Sequence, residues 1–181
     1  MSNHAGRQRG DLPDTPNGDY VRFMPLGGLD EVGMNCALIE CNGSMLMLDC
    51  GYTFPEDDFG VDYFLPDWSY VVDNIDKLDG VLVTHGHQDH IGALPFFLQE
   101  IDVPIYSGRI ALAMLERQLE EKNLADKVDL FPVEAAELLE IGPFTIEFVP
   151  VNHSVPIARS ISLDTPVGRF IFTGDWKIDQ M

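Results

Sequence analysis

The sequence has few basic residues, few cysteines and no long apolar run, and each shortage excludes a class of protein. Only 11 of its 181 residues are Lys or Arg, against 30 Asp and Glu, so the formal net charge is −19. Nucleic acid and anionic membranes repel so acidic a chain unless cations or another domain intervene. No run approaches the ~18 apolar residues of a transmembrane helix, so we expect no membrane partner.

The cysteines and the N-terminal stretch indicate a cytoplasmic protein with one folded domain. Cys36, Cys41 and Cys50 are odd in number and lack C-x-x-C spacing, which argues against a disulfide framework and against a cysteine zinc knuckle. Residues 1–19 are polar and lack the apolar segment of a signal peptide. We expect these residues to form a flexible tail and residues 20–181 to form the domain.

Short apolar runs alternate with turn signals and predict a mixed α/β or α+β architecture. Asn42-Gly43 is typical of a type I′ hairpin turn. One helix is predicted through Ile91, Leu94, Leu98 and Ile101, with Pro95 in its first turn. A second helix is predicted over residues 109–122. Strands are predicted at residues 20–25, 35–40, 45–48, 80–84, 145–151, 160–163 and 169–173.

The strongest chemical signal is the motif H-x-H-x-D-H, which directly follows the predicted strand 80–84. It places four potential metal ligands on a predicted loop between a strand and a helix: His85, His87, Asp89 and His90. Ends of strands are where open α/β sheets place their sites. Imidazole and carboxylate ligands suit zinc, and the absence of Cys argues against a purely structural zinc site. The alternative is a solvated polar loop, but chance assembly of this pattern at a strand end is improbable.

Three further residues follow predicted strands: His153, Asp175 and Asp49. A lone His such as His153 is most often a packed core residue, but the nearby motif favours a ligand. Asp175 is either a carboxylate that bridges two cations or an ordinary turn residue. Asp49 either accepts a hydrogen bond that orients a ligand imidazole or caps its turn.

The order of these residues along the chain resembles that of the metallo-β-lactamase superfamily: Asp49 after a strand, then the H-x-H-x-D-H motif, then His153 and then Asp175. Within it, residues 27–35 (GGLDEVGMN), 151–156 (VNHSVP) and 173–179 (TGDWKID) resemble ribonuclease J, a β-CASP family. The resemblance implies an αββα sandwich and covers its N-terminal portion only. The inserted β-CASP domain and the C-terminal remainder are expected to be absent, so we expect the chain to be a fragment of a longer protein. Half of a sandwich is also expected to leave one sheet face or edge without its covering partner and so to expose apolar surface.

The resemblance also assigns roles to individual residues. It implies two Zn²⁺ ions, with Mn²⁺ or Mg²⁺ as alternatives, and a hydroxide between them that attacks phosphorus in line. Asp89 and Asp175 would be the catalytic carboxylates, and Asp49 would lie outside the ligand set as a hydrogen-bond acceptor. The implied ligands are His85, His87 and His153 for the first ion, Asp89 and His90 for the second, and Asp175 between both.

The function implied by the resemblance is a zinc-dependent ribonuclease that acts on RNA as a 5′-to-3′ exonuclease and as an endonuclease. The full-length protein would be cytoplasmic and homo-oligomeric. One alternative is a metallohydrolase of the same superfamily that acts on a thioester, lactone or lactam. Another is an inactive metal-binding fragment, and we expect the 181-residue chain alone to be weakly active or inactive. Arg159, Arg169 and Lys177 are the basic residues near the motifs, and they are too few for a phosphate-tracking groove.

Overall fold

The computed structural model describes residues 16–55 and 60–178. Within them it has ten strands, four short to medium α-helices and two 3₁₀ turns, at Ile75–Lys77 and Ala125–Lys127. The helices are α1 (Ser69–Asp73), α2 (Gln88–Ile91), α3 (Leu94–Phe97) and α4 (Arg109–Glu121). The strands are β1 (Val21–Gly27), β2 (Cys36–Cys41), β3 (Ser44–Cys50), β4 (Leu78–Leu82), β5 (Ile105–Ser107), β6 (Leu130–Pro132), β7 (Leu138–Ile141), β8 (Phe144–Pro150), β9 (Arg159–Thr165) and β10 (Gly168–Phe172).

The strands form two sheets. The first has the order β1-β2-β3-β4-β5-β6 and is mixed, because β1, β2 and β3 pair antiparallel while β3 to β6 pair parallel. The second is antiparallel, in the order β10-β9-β8-β7. The β2–β3 hairpin turns at Asn42 and Gly43 with φ of 51° and 87°, the left-handed backbone of the predicted type I′ turn.

The core lies in two layers, one on each face of the first sheet. β3 is buried on both faces, because successive side chains of a strand point to opposite sides. Leu46 and Leu48 pack toward the second sheet, against residues that include Phe144 and Phe148. Met45 and Met47 pack on the other side with the helices. The layer order is therefore helices, mixed sheet, antiparallel sheet, which is the α/β architecture expected for the N-terminal portion of an αββα sandwich.

The outer face of the second sheet carries mostly polar side chains, together with the exposed apolar side chains of Leu138, Val149 and Ile171. In β8 the side chains of Phe144, Ile146 and Phe148 are buried, and those between them are only partly buried. In β9 the first five residues are all buried, whereas β10 alternates between exposed and half-buried residues from Arg169 to Phe172. Arg169 forms an ion pair with Asp164 across these two strands. Two-residue alternation of side-chain direction thus assigns mostly polar residues to this face. Its outward side chains are Leu138, Glu140, Thr145, Glu147, Val149, Ser160, Ser162, Asp164, Arg169 and Ile171.

Most predicted elements are confirmed, but the first predicted helix was wrong. All seven predicted strands occur with shifted ends, and α4 follows its prediction. In place of one helix through Ile91 and Ile101, α2 ends at Ile91 and α3 begins at Leu94. The amide of Ala93 donates to the Cys50 carbonyl (3.0 Å), and Pro95, near the start of α3, has no amide hydrogen to continue a helix. The four ligands expected on a loop are also divided, since Asp89 and His90 lie in α2.

Some expectations fall on residues that the structure does not describe. The predicted tail lies mainly in residues 1–15, and the end of the TGDWKID segment lies in residues 179–181. The three cysteines are described, and each is buried and free. No helix in the described ranges has the length and apolar character needed to cross a membrane.

Candidate metal centre

The segment that follows β4 is fixed by contacts with three neighbouring elements. The Val83 amide donates to the Tyr106 carbonyl of β5, and the Arg159 amide of β9 donates to the Thr84 carbonyl. A Cβ atom at Gly86 would lie 2.5 Å from Sδ of Met114 in α4, so a larger residue here would require the Met114 side chain to move. Neighbouring backbone therefore holds the loop in place at the ends of the parallel strands.

The first group of donor atoms comes from three histidines and one aspartate. Nδ1 of His87 lies 3.0 Å from Nε2 of His85 and 3.1 Å from Nε2 of His153. Oδ2 of Asp175 lies 3.6 Å from Nε2 of His153. Donor atoms around one zinc ion, at bonds of roughly 2.0–2.2 Å, are spaced about 3.3–3.6 Å apart. The four side chains are thus arranged to surround a single cation.

Two imidazoles of this group are held in the neutral form that binds metals. Burial, together with the neighbouring His90, His87 and His153, lowers the pKa of His85 to about 3. Burial also lowers the pKa of His153, although the Asp175 carboxylate partly offsets this effect. A neutral imidazole offers a free nitrogen lone pair, so neither ring must lose a proton before it binds a metal at neutral pH.

The second group shares Asp175 with the first. Nε2 of His90 lies 3.5 Å from Oδ2 of Asp89 and 3.5 Å from Oδ1 of Asp175. The two oxygens of Asp175 therefore face different groups, as a bridging carboxylate requires. The side chains of Asp89 and Asp175 are 36% and 43% exposed, so a substrate can reach both.

Asp49 is a buried acceptor beneath both groups. Its Oδ1 accepts from the Thr84 amide (2.7 Å), and its Oδ2 accepts from the Thr84 hydroxyl (2.8 Å) and faces Nδ1 of His90 at 2.7 Å. Burial opposes the charged form of His90, but the charge of Asp49 and this hydrogen bond raise the pKa of His90 above its usual value. Asp49 has a left-handed φ of 56°, a strained conformation for a non-glycine residue that is common at functional sites.

Two residues of the centre were missed by sequence reasoning. The Thr84 hydroxyl lies 3.0 Å from Nδ1 of His85, so it orients the first group as Asp49 orients the second. Nδ2 of Asn35 lies 3.3 Å from Oδ2 of Asp89 and 3.1 Å from Nε2 of His90. Thr84 could have been found from its place beside the motif, and Asn35 from its polarity at the end of the glycine-rich segment.

All seven residues proposed from the sequence meet at this one place. The backbone supports the arrangement, because the Asn35 amide donates to the Asp89 carbonyl (2.9 Å) and the Gly51 amide donates to the Asn35 carbonyl (2.9 Å). A Cβ atom at Gly51 would lie 1.6 Å from the Asp89 carbonyl oxygen, so this position requires glycine. Contacts with two segments distant in sequence, around Asn35 and around Gly51, thus fix the start of α2.

The sequence of the chain is similar to one protein family and to several of its members. The metallo-β-lactamase superfamily profile matches residues 29–176. The chain is 41% identical over 160 residues to ribonuclease J 1 of Streptococcus pyogenes, and this alignment covers 88% of this chain and 29% of that protein. It is 40% identical over 162 residues to ribonuclease J of Synechocystis, and this alignment covers 88% of this chain and 25% of that protein. The chain therefore spans less than a third of the length of these relatives.

Solved structures share the fold at lower sequence identity. The metallo-β-lactamase fold protein YhfI from Bacillus subtilis aligns with a TM-score of 0.61 and 20% identity, over 90% of this chain and 65% of that one. A protein of unknown function from Enterococcus faecalis aligns with a TM-score of 0.65 and 17% identity, over 88% of this chain and 44% of that one. At such identities these alignments show the fold alone.

Proposed function

This chain belongs to the metallo-β-lactamase superfamily, and from that premise we propose that it carries the metal centre of a ribonuclease J-type enzyme that hydrolyses RNA phosphodiester bonds. The observation that carries the proposal is the pair of donor groups joined by Asp175. The identity of 35–41% to several ribonucleases J supports RNA as the substrate class.

The donor chemistry fits two divalent cations, with zinc as the first candidate. Facing imidazole nitrogens 3.0–3.1 Å apart, together with carboxylate oxygens, match ligands that zinc accepts. Mixed nitrogen and oxygen sites also admit Mn²⁺. We propose that His85, His87 and His153 hold the first ion, that Asp89 and His90 hold the second, and that Asp175 binds both. Ions bound there would supply Lewis-acid stabilisation of a phosphoryl group and would lower the pKa of water.

Neighbouring side chains orient the proposed metal ligands. Asp49 and Thr84 fix the ring orientations of His90 and His85, so the metal-facing nitrogens are preorganised. Asp89 and Asp175 are open to substrate, and we propose them as the carboxylates that face the reacting atoms. The bound RNA thus needs to approach from this exposed side of the centre.

A second candidate function keeps the same metals but directs water to a thioester, lactone or lactam. The same donor groups support it, because metal-assisted hydrolysis does not by itself specify the substrate. The identity to ribonucleases J favours RNA. A third candidate is a metal-binding chain without activity of its own, because donor groups that could hold a metal do not by themselves establish turnover.

The test compares substrates on the purified chain loaded with Zn²⁺ or Mn²⁺. A 5′-monophosphorylated RNA, a generic thioester and a lactam are offered with and without EDTA, to the wild type and to His87→Ala. Weak, EDTA-sensitive RNA cleavage that His87→Ala abolishes is the expected result. Thioester or lactam hydrolysis without RNA cleavage supports the second function, and metal binding without any turnover supports the third. Asn74→Ala, which removes a hydrogen bond to the Tyr70 carbonyl in α1, is the matched control.

A further inference from the structure

A cavity of about 280 Å³ opens beside Asp89, and most of its wall does not belong to the metal centre. Phe54 and Val32 line it with side chains that are 66% and 91% exposed. Isolated exposed apolar residues are ordinary, but a group of them around a cavity marks a binding surface. The lining residues are Val32, Gly33, Tyr52, Thr53, Phe54, Gln88 and Asp89.

The wall of this cavity is fixed relative to the candidate metal ligands. The Tyr52 amide donates to the Gln88 carbonyl (3.3 Å), next to Asp89. Thr53 exchanges two backbone hydrogen bonds with Phe64, and its hydroxyl donates to the Val32 carbonyl (3.0 Å). The ring of Phe54 meets Tyr52 edge to face, with centroids 5.2 Å apart. The Phe54 ring therefore packs on Tyr52, whose backbone is hydrogen-bonded to the residue before Asp89.

We propose that this cavity binds the base of the nucleotide next to the phosphate held at the metal centre, a proposal that rests on the function proposed above. An exposed aromatic ring stacks on a nucleobase of any sequence. The side-chain amide of Gln88 offers both a donor and an acceptor for a base edge. Because Asp89 belongs both to this wall and to the second donor group, a phosphate bound there would leave its base within reach.

The charge of the chain favours a base over the sugar–phosphate backbone as the contact. At −19 the chain repels phosphates. Two of the basic residues near the motifs are engaged, because Arg159 is buried and donates to the Val133 carbonyl while Arg169 pairs with Asp164. A neutral base in an apolar cavity meets no such repulsion. Stacking therefore supplies affinity that the surrounding charge does not.

The test measures binding of adenosine 5′-monophosphate and of ribose 5-phosphate to the zinc-loaded chain by calorimetry. We expect the nucleotide to bind at least about fivefold more tightly than the sugar phosphate, since stacking on one base gives about that much or more. Phe54→Ala should remove this preference, and Phe54→Trp should keep it and report binding by fluorescence quenching. Phe131→Ala is the control, because Phe131 is a partly exposed ring stacked on Tyr106.

The possible outcomes separate this proposal from the one on which it rests. Equal, EDTA-sensitive binding of both ligands overturns the base site and leaves the phosphate-binding metal centre in place. If neither ligand binds in a zinc-dependent way, the proposed function fails and the base site fails with it. If Phe54→Ala changes the sedimentation of the chain but not its nucleotide preference, the cavity is a protein contact and the base site is overturned.

Discussion

Asn35 places one neutral side chain in contact with the second donor group of the candidate metal centre. Its amide lies within 3.3 Å of Oδ2 of Asp89, a contact that orients the carboxylate without adding charge. Hydrogen bonds to metal-binding carboxylates typically change metal affinity about 10–100-fold. The glycine-rich segment before it serves this contact, since a Cβ atom at Gly28 would lie 2.9 Å from Oδ1 of Asn35.

We predict that Asn35→Ala weakens the second metal site by about 10–100-fold and leaves the first unchanged. The backbone bonds of residue 35 to Asp89 and Gly51 do not need the side chain, so the fold should persist. Zinc titration against a chromophoric chelator measures both affinities, and circular dichroism checks the fold. Unchanged affinity at both sites would show that the Asn35 amide does not position Asp89.

Among the elements, the β2–β3 hairpin carries Asp49 at one end and depends on its turn at the other. Gly43 has φ of 87°, and a Cβ atom added there would have no neighbouring atom within 4 Å, so substitution adds backbone strain without a steric clash. We predict that Gly43→Ala lowers the free energy of unfolding by about 1–2 kcal/mol, and that Gly43→Asn lowers it less, because Asn tolerates the left-handed conformation. Urea denaturation measures both changes. Equal stability of the wild type and Gly43→Ala would contradict the assigned turn.

A buried carboxylate joins β2 to three neighbouring elements. Glu40 is 1% exposed and contacts Arg22 at 3.2 Å, Lys77 at 3.5 Å and the Tyr20 hydroxyl at 2.8 Å. Burial would raise the pKa of Glu40, but the hydrogen bonds from Tyr20 and Tyr70 and the charges of Lys77 and Arg22 lower it below its usual value.

Because the pKa of Glu40 is lowered by folding, its charged form stabilises the protein above the unfolded-state pKa. This contribution is lost as the pH falls through the lower, folded-state pKa. We predict that Glu40→Gln is less stable than the wild type at neutral pH and that the difference narrows in acid. Urea denaturation across that range measures the difference. A gap that stays constant into acid would contradict the charged role of Glu40.

The sequence predicted the elements whose pattern is local and missed those decided by distant contacts. The runs in β3 and β8 and the Asn42-Gly43 turn carry their own periodicity or turn chemistry, and the H-x-H-x-D-H motif carries its own chemistry. The division between α2 and α3 depends on the Cys50 carbonyl, far along the chain. β5, β6 and β7 have only three or four residues each, too few for a pattern. Asn35 gave no metal-ligand signal because an amide is not a typical zinc ligand.

For the whole molecule, the excess of negative charge decides how RNA can be bound. Two divalent cations would change the formal charge only from −19 to −15 (−19 + 4). We predict that the 181-residue chain binds single-stranded RNA weakly, that EDTA abolishes this binding, and that the affinity changes little with salt, because few phosphates are neutralised by Lys or Arg. Fluorescence anisotropy across salt concentrations measures this. Tight, EDTA-resistant binding would reveal a basic surface and contradict the prediction.

The central claim is that seven residues from distant segments build one centre for two cations, and a zinc titration of the chain tests it most directly. The first donor group has four side chains and the second has three, one of them shared, so we predict one tight ion and one weaker ion per chain. His87→Ala should remove the tight site, and Asp89→Asn should remove only the weaker one. Zinc binding that neither substitution changes, or no zinc binding at all, would contradict the account.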